Sequence, residues 1–66
     1  MNVTLNGEKR EIRTGKTLAD IVMNFNPSNK RIAVLLNDDL IPKGNQAGYI
    51  LKKDDRVEIL TFAGGG

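Results

Sequence analysis

Polar and apolar positions alternate cleanly at the start of the chain. Val3 and Leu5 are separated by Asn2, Thr4 and Asn6, the two-residue period of a half-buried strand. Asn6-Gly7 follows, and this dipeptide suits a two-residue hairpin turn because both central positions of that turn need φ > 0. The return strand, Glu8 to Arg13, offers only Ile12 to a core, so it is predicted at the edge of a sheet, where charges discourage pairing with another molecule. The period then changes. Leu18, Ile21, Val22 and Phe25 fall at i, i+3, i+4 and i+7, one stripe of a short helix. Thr17 stands at its N-cap, with Asp20 placed to return a bond to the Thr17 backbone. Asn26-Pro27 ends the helix, because the residue before proline is driven out of the α region.

Ile32 to Leu36 is apolar at every position and reads as a strand buried on both faces. Asn37-Asp38-Asp39 is a turn, Leu40-Ile41 a short strand, and 42–51 an irregular stretch. Asp54-Asp55 is a second turn. The last strand runs from Arg56 to about Phe62, with Val57, Ile59 and Thr61 on one face and Glu58, Leu60 and Phe62 on the other. A hairpin, one helix and further strands make an α+β two-layer domain. It is a mixed four- to five-stranded sheet with one helix on one face, spanning residues 1–62 and followed by a flexible glycine tail, 63–66. Leu60 and Phe62 face away from the predicted core. Two readings of them stay open: a docking surface for a partner, or packing beneath the 42–51 segment.

Composition narrows the chemistry. The 66 residues include no cysteine and no histidine, which removes thiol nucleophiles, thiolate metal sites, Ser-His pairs and the commonest general base. A chain of this size buries only ~60% of its unfolded surface. The hydrophobic content of 39% suffices for a small core, while 5% aromatic residues argue against a base-stacking platform. Net charge is only +2, with no run of like charge beyond two residues, so no basic arm marks a nucleic-acid partner. The longest apolar run, Ile32 to Leu36, is far short of the ~20 residues of a membrane span. No signal-peptide pattern opens the chain, and a cytoplasmic location without membrane contact is the expectation.

Most apparent motifs dissolve on inspection. Gly15-Lys16-Thr17 lacks the glycine a phosphate loop needs five residues earlier, where Arg10 stands. The acid pairs at 38–39 and 54–55 read as solvated turn formers, since neither continues as a calcium loop. No catalytic residue and no metal ligand set emerges. What remains is Phe62-Ala63-Gly64-Gly65-Gly66. Three glycines carry no side chains and have the largest backbone entropy to lose on ordering. Read as a frayed end they do nothing; read as an arm, they are thin enough to thread a narrow channel and deliver a terminal carboxylate. That carboxylate, ionised at neutral pH, can attack the α-phosphate of ATP in a separate enzyme.

The whole pattern resembles the β-grasp (ubiquitin-like) superfamily, specifically the small sulfur carriers of the ThiS/MoaD group. The resemblance is carried by the Asn6-Gly7 hairpin, by Gly15-Lys16-Thr17-Leu18-Ala19-Asp20-Ile21, by the run Ile32 to Asn37, and by Asp55-Arg56-Val57-Glu58-Ile59 leading to the terminal glycines. It implies the ThiS role in thiamine biosynthesis. A ThiF-type, E1-like enzyme would adenylate Gly66 at the expense of ATP, no cofactor being bound by the chain itself. A cysteine desulfurase system would supply sulfur to form a thiocarboxylate, and a ThiG-type thiazole synthase would receive it. Gly64 and Gly65 correspond to the threaded part. The resemblance further implies a protein cosubstrate, not an enzyme. A MoaD-type carrier for molybdopterin, or a ubiquitin-like lysine modifier, would share this tail. Outside the superfamily, the alternative is a small basic module binding RNA or an acidic protein, suggested by a pI near 9.2.

Overall fold

The computed structural model describes residues 1–25 and 31–62. Strand β1 (Asn2–Leu5) turns directly into β2 (Glu8–Glu11). Asn6 and Gly7 take φ of 49° and 82°, the two positive values that a type I′ turn demands. The register pairs Val3 with Arg10 and Leu5 with Glu8. All four residues of β2 are exposed, as an edge strand requires, and it stops at Glu11, short of the predicted Arg13. Ile12 packs against the core, and its backbone N–H donates to the Met1 carbonyl at 2.8 Å.

Helix α1 (Leu18–Phe25) begins with the reciprocal cap read from the sequence. The Thr17 N–H donates to Asp20 Oδ2 at 2.9 Å, and the Asp20 N–H donates to Thr17 Oγ1 at 3.2 Å. These bonds hold the Asp20 carboxyl below its ordinary pKa, the Thr17 backbone contact contributing most and the charge of Lys16 adding to it. Leu18 is fully buried, which contributes roughly 1.5–3 kcal/mol for a leucine side chain. Ile21 and Val22 are half-buried against the core. Phe25, expected on the same stripe, is exposed: it closes the last turn of an eight-residue helix, past the reach of the sheet. The expected stop at Asn26-Pro27 lies outside the described residues.

The remaining elements are β3 (Ile32–Leu36), β4 (Asp39–Leu40), α2 (Lys43–Gln46) and β5 (Arg56–Thr61). The strands order as β2-β1-β5-β3-β4 in one mixed sheet. The first and last long strands of the chain therefore lie side by side and parallel at its centre, pairing Leu5 with Val57. On its other edge β5 runs antiparallel to β3, pairing Val34 with Ile59 and Leu36 with Val57. These are core residues, clustered with Leu5, Leu18 and Leu51 beneath α1. The architecture is the expected α+β sheet with a helix on one face.

Two expectations about the middle of the chain fail. Strand β3 is not buried on both faces. Val34 and Leu36 are buried, but Ala33 and Leu35 are only half-covered, because both helices lie on the core side and nothing described covers the other face. The 42–51 stretch is not wholly irregular. Pro42, at φ −60° and ψ 151°, leads into a single turn, α2, fastened by the buried Gln46, whose Nε2 donates to the Ile41 carbonyl at 3.1 Å. The chain then passes the head of α1, where the Leu18 N–H donates to the Tyr49 carbonyl and the Leu51 N–H to the Lys16 carbonyl, both at 2.9 Å.

Candidate functional site

Strand β5 leads the chain toward the glycines, and its two ends are built differently. At its beginning, Asp55 is buried and its carboxylate accepts three hydrogen bonds: from Asn37 Nδ2 at 3.0 Å, from the Tyr49 hydroxyl at 3.2 Å, and from the Lys52 N–H at 2.8 Å. This corrects the reading of Asp54-Asp55 as a solvated pair. Only Asp54 is the exposed turn former, at φ 68°. The Tyr49 hydroxyl has its pKa raised, first by burial and then by the negative charge of Asp55 beside it. Lys52 Nζ lies 5.9 Å from the Tyr49 ring centroid.

Asn37 ties the β3–β4 turn into the same cluster. Its φ of 50° and the 74° of Asp38 form the turn, leaving its amide to bridge. Oδ1 accepts from the Arg56 N–H at 2.9 Å while Nδ2 serves Asp55. Asn6 does similar work on the other edge of β5: where β1 turns away, Asn6 Oδ1 accepts from the Ile59 N–H at 2.7 Å. Two turn asparagines thus supply the acceptors that the neighbouring backbones no longer offer β5. Sequence reading missed this use of Asn6, Asn37 and Asp55; the turn type at Asn-Gly and Asn-Asp was the available signal.

At its far end β5 loses such support. The Phe62 N–H donates to the Arg31 carbonyl at 3.2 Å. Leu60 and Phe62 are 49% and 58% exposed, so the 42–51 segment does not cover them and that packing reading is wrong. Register places them on a broad open face. Leu60 pairs with Ala33 and Glu58 with Leu35, which in turn pairs with the exposed Leu40. One corner of this face is therefore apolar: Ala33, Leu35, Leu40, Leu60 and Phe62. The other half is polar, with Lys9 opposite Thr4 and Thr4 beside Arg56. Arg56 is already engaged, its guanidinium 2.9 Å from Asp38 Oδ2. Gly64, Gly65 and Gly66 lie outside the described residues; in sequence they follow Phe62 of the apolar corner after one residue, Ala63.

Among the described residues no group of three or more metal-ligating side chains gathers, and no helix is long and apolar enough to cross a membrane.

Comparison with known proteins places this geometry in context. The chain is similar to a thiazole synthase of Magnetococcus marinus, 32% identical over 66 residues, and to one of Paramagnetospirillum magneticum, 29% identical over 66. All of this chain is matched but only 20% of each synthase, so it spans about one fifth of the length of those relatives. An uncharacterised protein, ycf40, of Pyropia yezoensis is 29% identical and matched over 93% of its length. Among solved structures, the thiamine biosynthesis protein ThiS of Geobacter metallireducens superposes with a TM-score of 0.81 at 25% identity, each chain being fully covered. The model of the ThiS family matches residues 3–66, from the first strand through the terminal glycines, and the chain belongs to the ThiS family.

Proposed function

We propose that this chain is a sulfur carrier of thiamine biosynthesis, working as a protein cosubstrate through the Gly66 carboxylate. The observation that carries the reading is the family match running unbroken through Gly64-Gly65-Gly66, beside an exposed apolar corner at Leu60 and Phe62. A carboxylate oxygen of Gly66 attacks the α-phosphate of ATP held by an E1-like adenylating enzyme; pyrophosphate leaves and an acyl-adenylate forms. Sulfur leaves a cysteine desulfurase system as a persulfide; a thiol reductant cleaves the S–S bond, being oxidised to a disulfide, and the sulfide released attacks the carbonyl carbon. A C–S bond forms, the C–O bond to AMP breaks, and the product is a thiocarboxylate. Sulfur is a far better nucleophile than the carboxylate oxygen it replaces.

Glycines at 64 and 65 let the arm pass through narrow channels, while the open sheet face, with Leu60 and Phe62, docks the enzymes that act on it. The acceptor is a thiazole synthase. This is supported by the two relatives carrying that name, in which a stretch like this whole chain makes up one fifth of the protein.

The test is to sulfurate the chain with ATP, adenylating enzyme and a sulfur source, then offer it separately to thiazole synthase and to molybdopterin synthase. Sulfur transfer to thiazole synthase is expected. Transfer to molybdopterin synthase alone would reassign the carrier, and transfer to neither would overturn the reading.

A further inference from the structure

Strand β5 has two edges, and its hydrogen bonds divide the backbone between them. Even-numbered residues serve β3: the Arg56 carbonyl accepts from the Asn37 N–H at 2.8 Å, and the Phe62 N–H donates to the Arg31 carbonyl at 3.2 Å. Odd-numbered residues serve β1: the Asp55 and Val57 carbonyls accept from the Thr4 and Asn6 N–H groups, both at 2.9 Å. Strand β1 ends at Leu5, and only Thr4 and Leu5 pair with β5. Asn6 Oδ1 takes the Ile59 N–H at 2.7 Å, and beyond that bond nothing described continues the β1 side. The Ile59 carbonyl and the Thr61 N–H and carbonyl therefore form an open edge, with no partner among the described residues.

There is room beside this edge. Gly7, at the hairpin tip, lines the same groove as Ile59 and Leu60, and an added Cβ on it would meet nothing within 4 Å. Three residues of free edge are too short to be an aggregation hazard, yet enough to start a ladder. The edge also runs straight on into the tail. Residues 64–66 are glycines, so an enzyme can grip them only by backbone N–H and C=O groups and the terminal carboxylate. Held extended by a partner, the Ala63 and Gly65 backbones would face the same side as Thr61. The five residue steps from Thr61 to Gly66 span about 17 Å when extended. One added strand of that length covers both the free edge and the tail.

We propose that the thiazole synthase lays an extended strand along this edge, pairing with Ile59 and Thr61 and continuing beside the glycines toward Gly66. The proposal rests on the carrier reading and deepens it by naming how the partner holds the tail. Main-chain pairing supplies affinity without the side chains that the glycines lack. It also offsets the backbone entropy lost when they are ordered. Thiazole synthase is the assigned partner because it is the enzyme named by the two relatives that contain a stretch like this whole chain. Thr61 is a positioning residue: its backbone aligns the arm and touches no reacting atom.

The experiment follows amide hydrogen exchange of the full chain, alone and bound to the thiazole synthase of the same organism. On binding, exchange at the Thr61 amide should slow ~10-fold or more. The Ile59 amide, already bonded to Asn6, should be slow in both states. Thr61→Pro deletes the Thr61 donor alone, since proline is tolerated where a strand N–H faces solvent. It should raise Kd for the synthase about 5-fold or more, with the melting temperature within about 4 °C of wild type. Thr61→Ala keeps the N–H and should move Kd less than about twofold. Should Thr61→Pro fail to fold, exchange at Thr61 in the wild-type chain carries the test. An unprotected Thr61 amide in the complex, or equal losses in Thr61→Pro and Thr61→Ala, overturns the proposal. Where the wild type still transfers sulfur to the synthase, the carrier reading stands. Protection of Thr61 in the free chain, with a doubled mass, assigns the edge to a second copy and also overturns the proposal. No sulfur transfer to the synthase overturns the acceptor reading and the proposal with it.

Discussion

The two ends of β5 carry opposite solutions to the same backbone. At the Asp55 end a buried carboxylate takes three donors, and Asn37 closes the adjacent turn onto it. At the Leu60–Phe62 end large apolar side chains stand in solvent. A protein seeking only stability would bury the second end as it does the first. Rigid fixation at one end and exposed apolar surface at the other suit a molecule that must present a strand, and the glycines beyond it, to another protein. The strand is fixed at its upstream end and exposed at its downstream end, the end that the proposed function uses for docking.

That contrast can be broken in several ways. The largest effect belongs to the tail. Deleting Gly66 should abolish adenylation while leaving the melting temperature unchanged, since the core cluster draws on residues no later than Ile59. Asp55→Ala comes next. It strands the Tyr49 hydroxyl, the Asn37 amide and the Lys52 N–H, and should cost about 2–4 kcal/mol in denaturant unfolding. The folded fraction should still be adenylated normally. Leu60→Ala with Phe62→Ala should do the reverse: stability within about 0.5 kcal/mol per substitution, because both are exposed, but KM for the adenylating enzyme raised ~10-fold or more. If Leu60 and Phe62 variants unfold the chain, or Asp55→Ala leaves it equally stable, the two ends are not specialised as described.

A finer test uses pH. Tyr49 has a raised pKa in the folded state, so its contribution is fully present below the ordinary value of 10.0 and is lost as pH climbs through the folded value. The phenolate absorbance should appear above that ordinary value, and Tyr49→Phe should lose this part of the alkaline destabilisation. Asp20 has the opposite sign. Its lowered pKa makes the cap's contribution present above the ordinary 3.8 and lost as pH falls through the folded value. The difference in melting temperature between wild type and Asp20→Asn should therefore be visible at neutral pH and vanish in strong acid. This is the smallest of the expected effects, because the cap is exposed.

Legibility in the sequence tracked the range of the interactions. The alternation of Val3 and Leu5, the Asn6-Gly7 turn and the Thr17–Asp20 cap are decided within a few residues, and each appears as read. Turn α2 contains a glycine and an asparagine and has no apolar period of its own. It exists because Gln46 reaches back to Ile41 and the chain must cross the head of α1. The exposed side of β3 was hidden for a similar reason: an unbroken apolar run does not say how many layers will cover it. Asp55 has two local partners, Lys52 and Tyr49, but its burial and its bond to Asn37, 18 residues away, come from the packed fold, and the second use of Asn6 depends on Ile59, 53 residues on. For the candidate site, alternation along β5 placed Leu60 and Phe62 on the right face, but only the sheet order could show that nothing described covers them.

Intact-mass spectrometry of the whole chain, after incubation with ATP, the adenylating enzyme and a sulfur source, tests the central claim most directly. One terminal oxygen should be exchanged for sulfur, with the added mass confined to the C-terminal fragment ending at Gly66. An unchanged mass, in a reaction where the same enzymes sulfurate a known carrier, would contradict it.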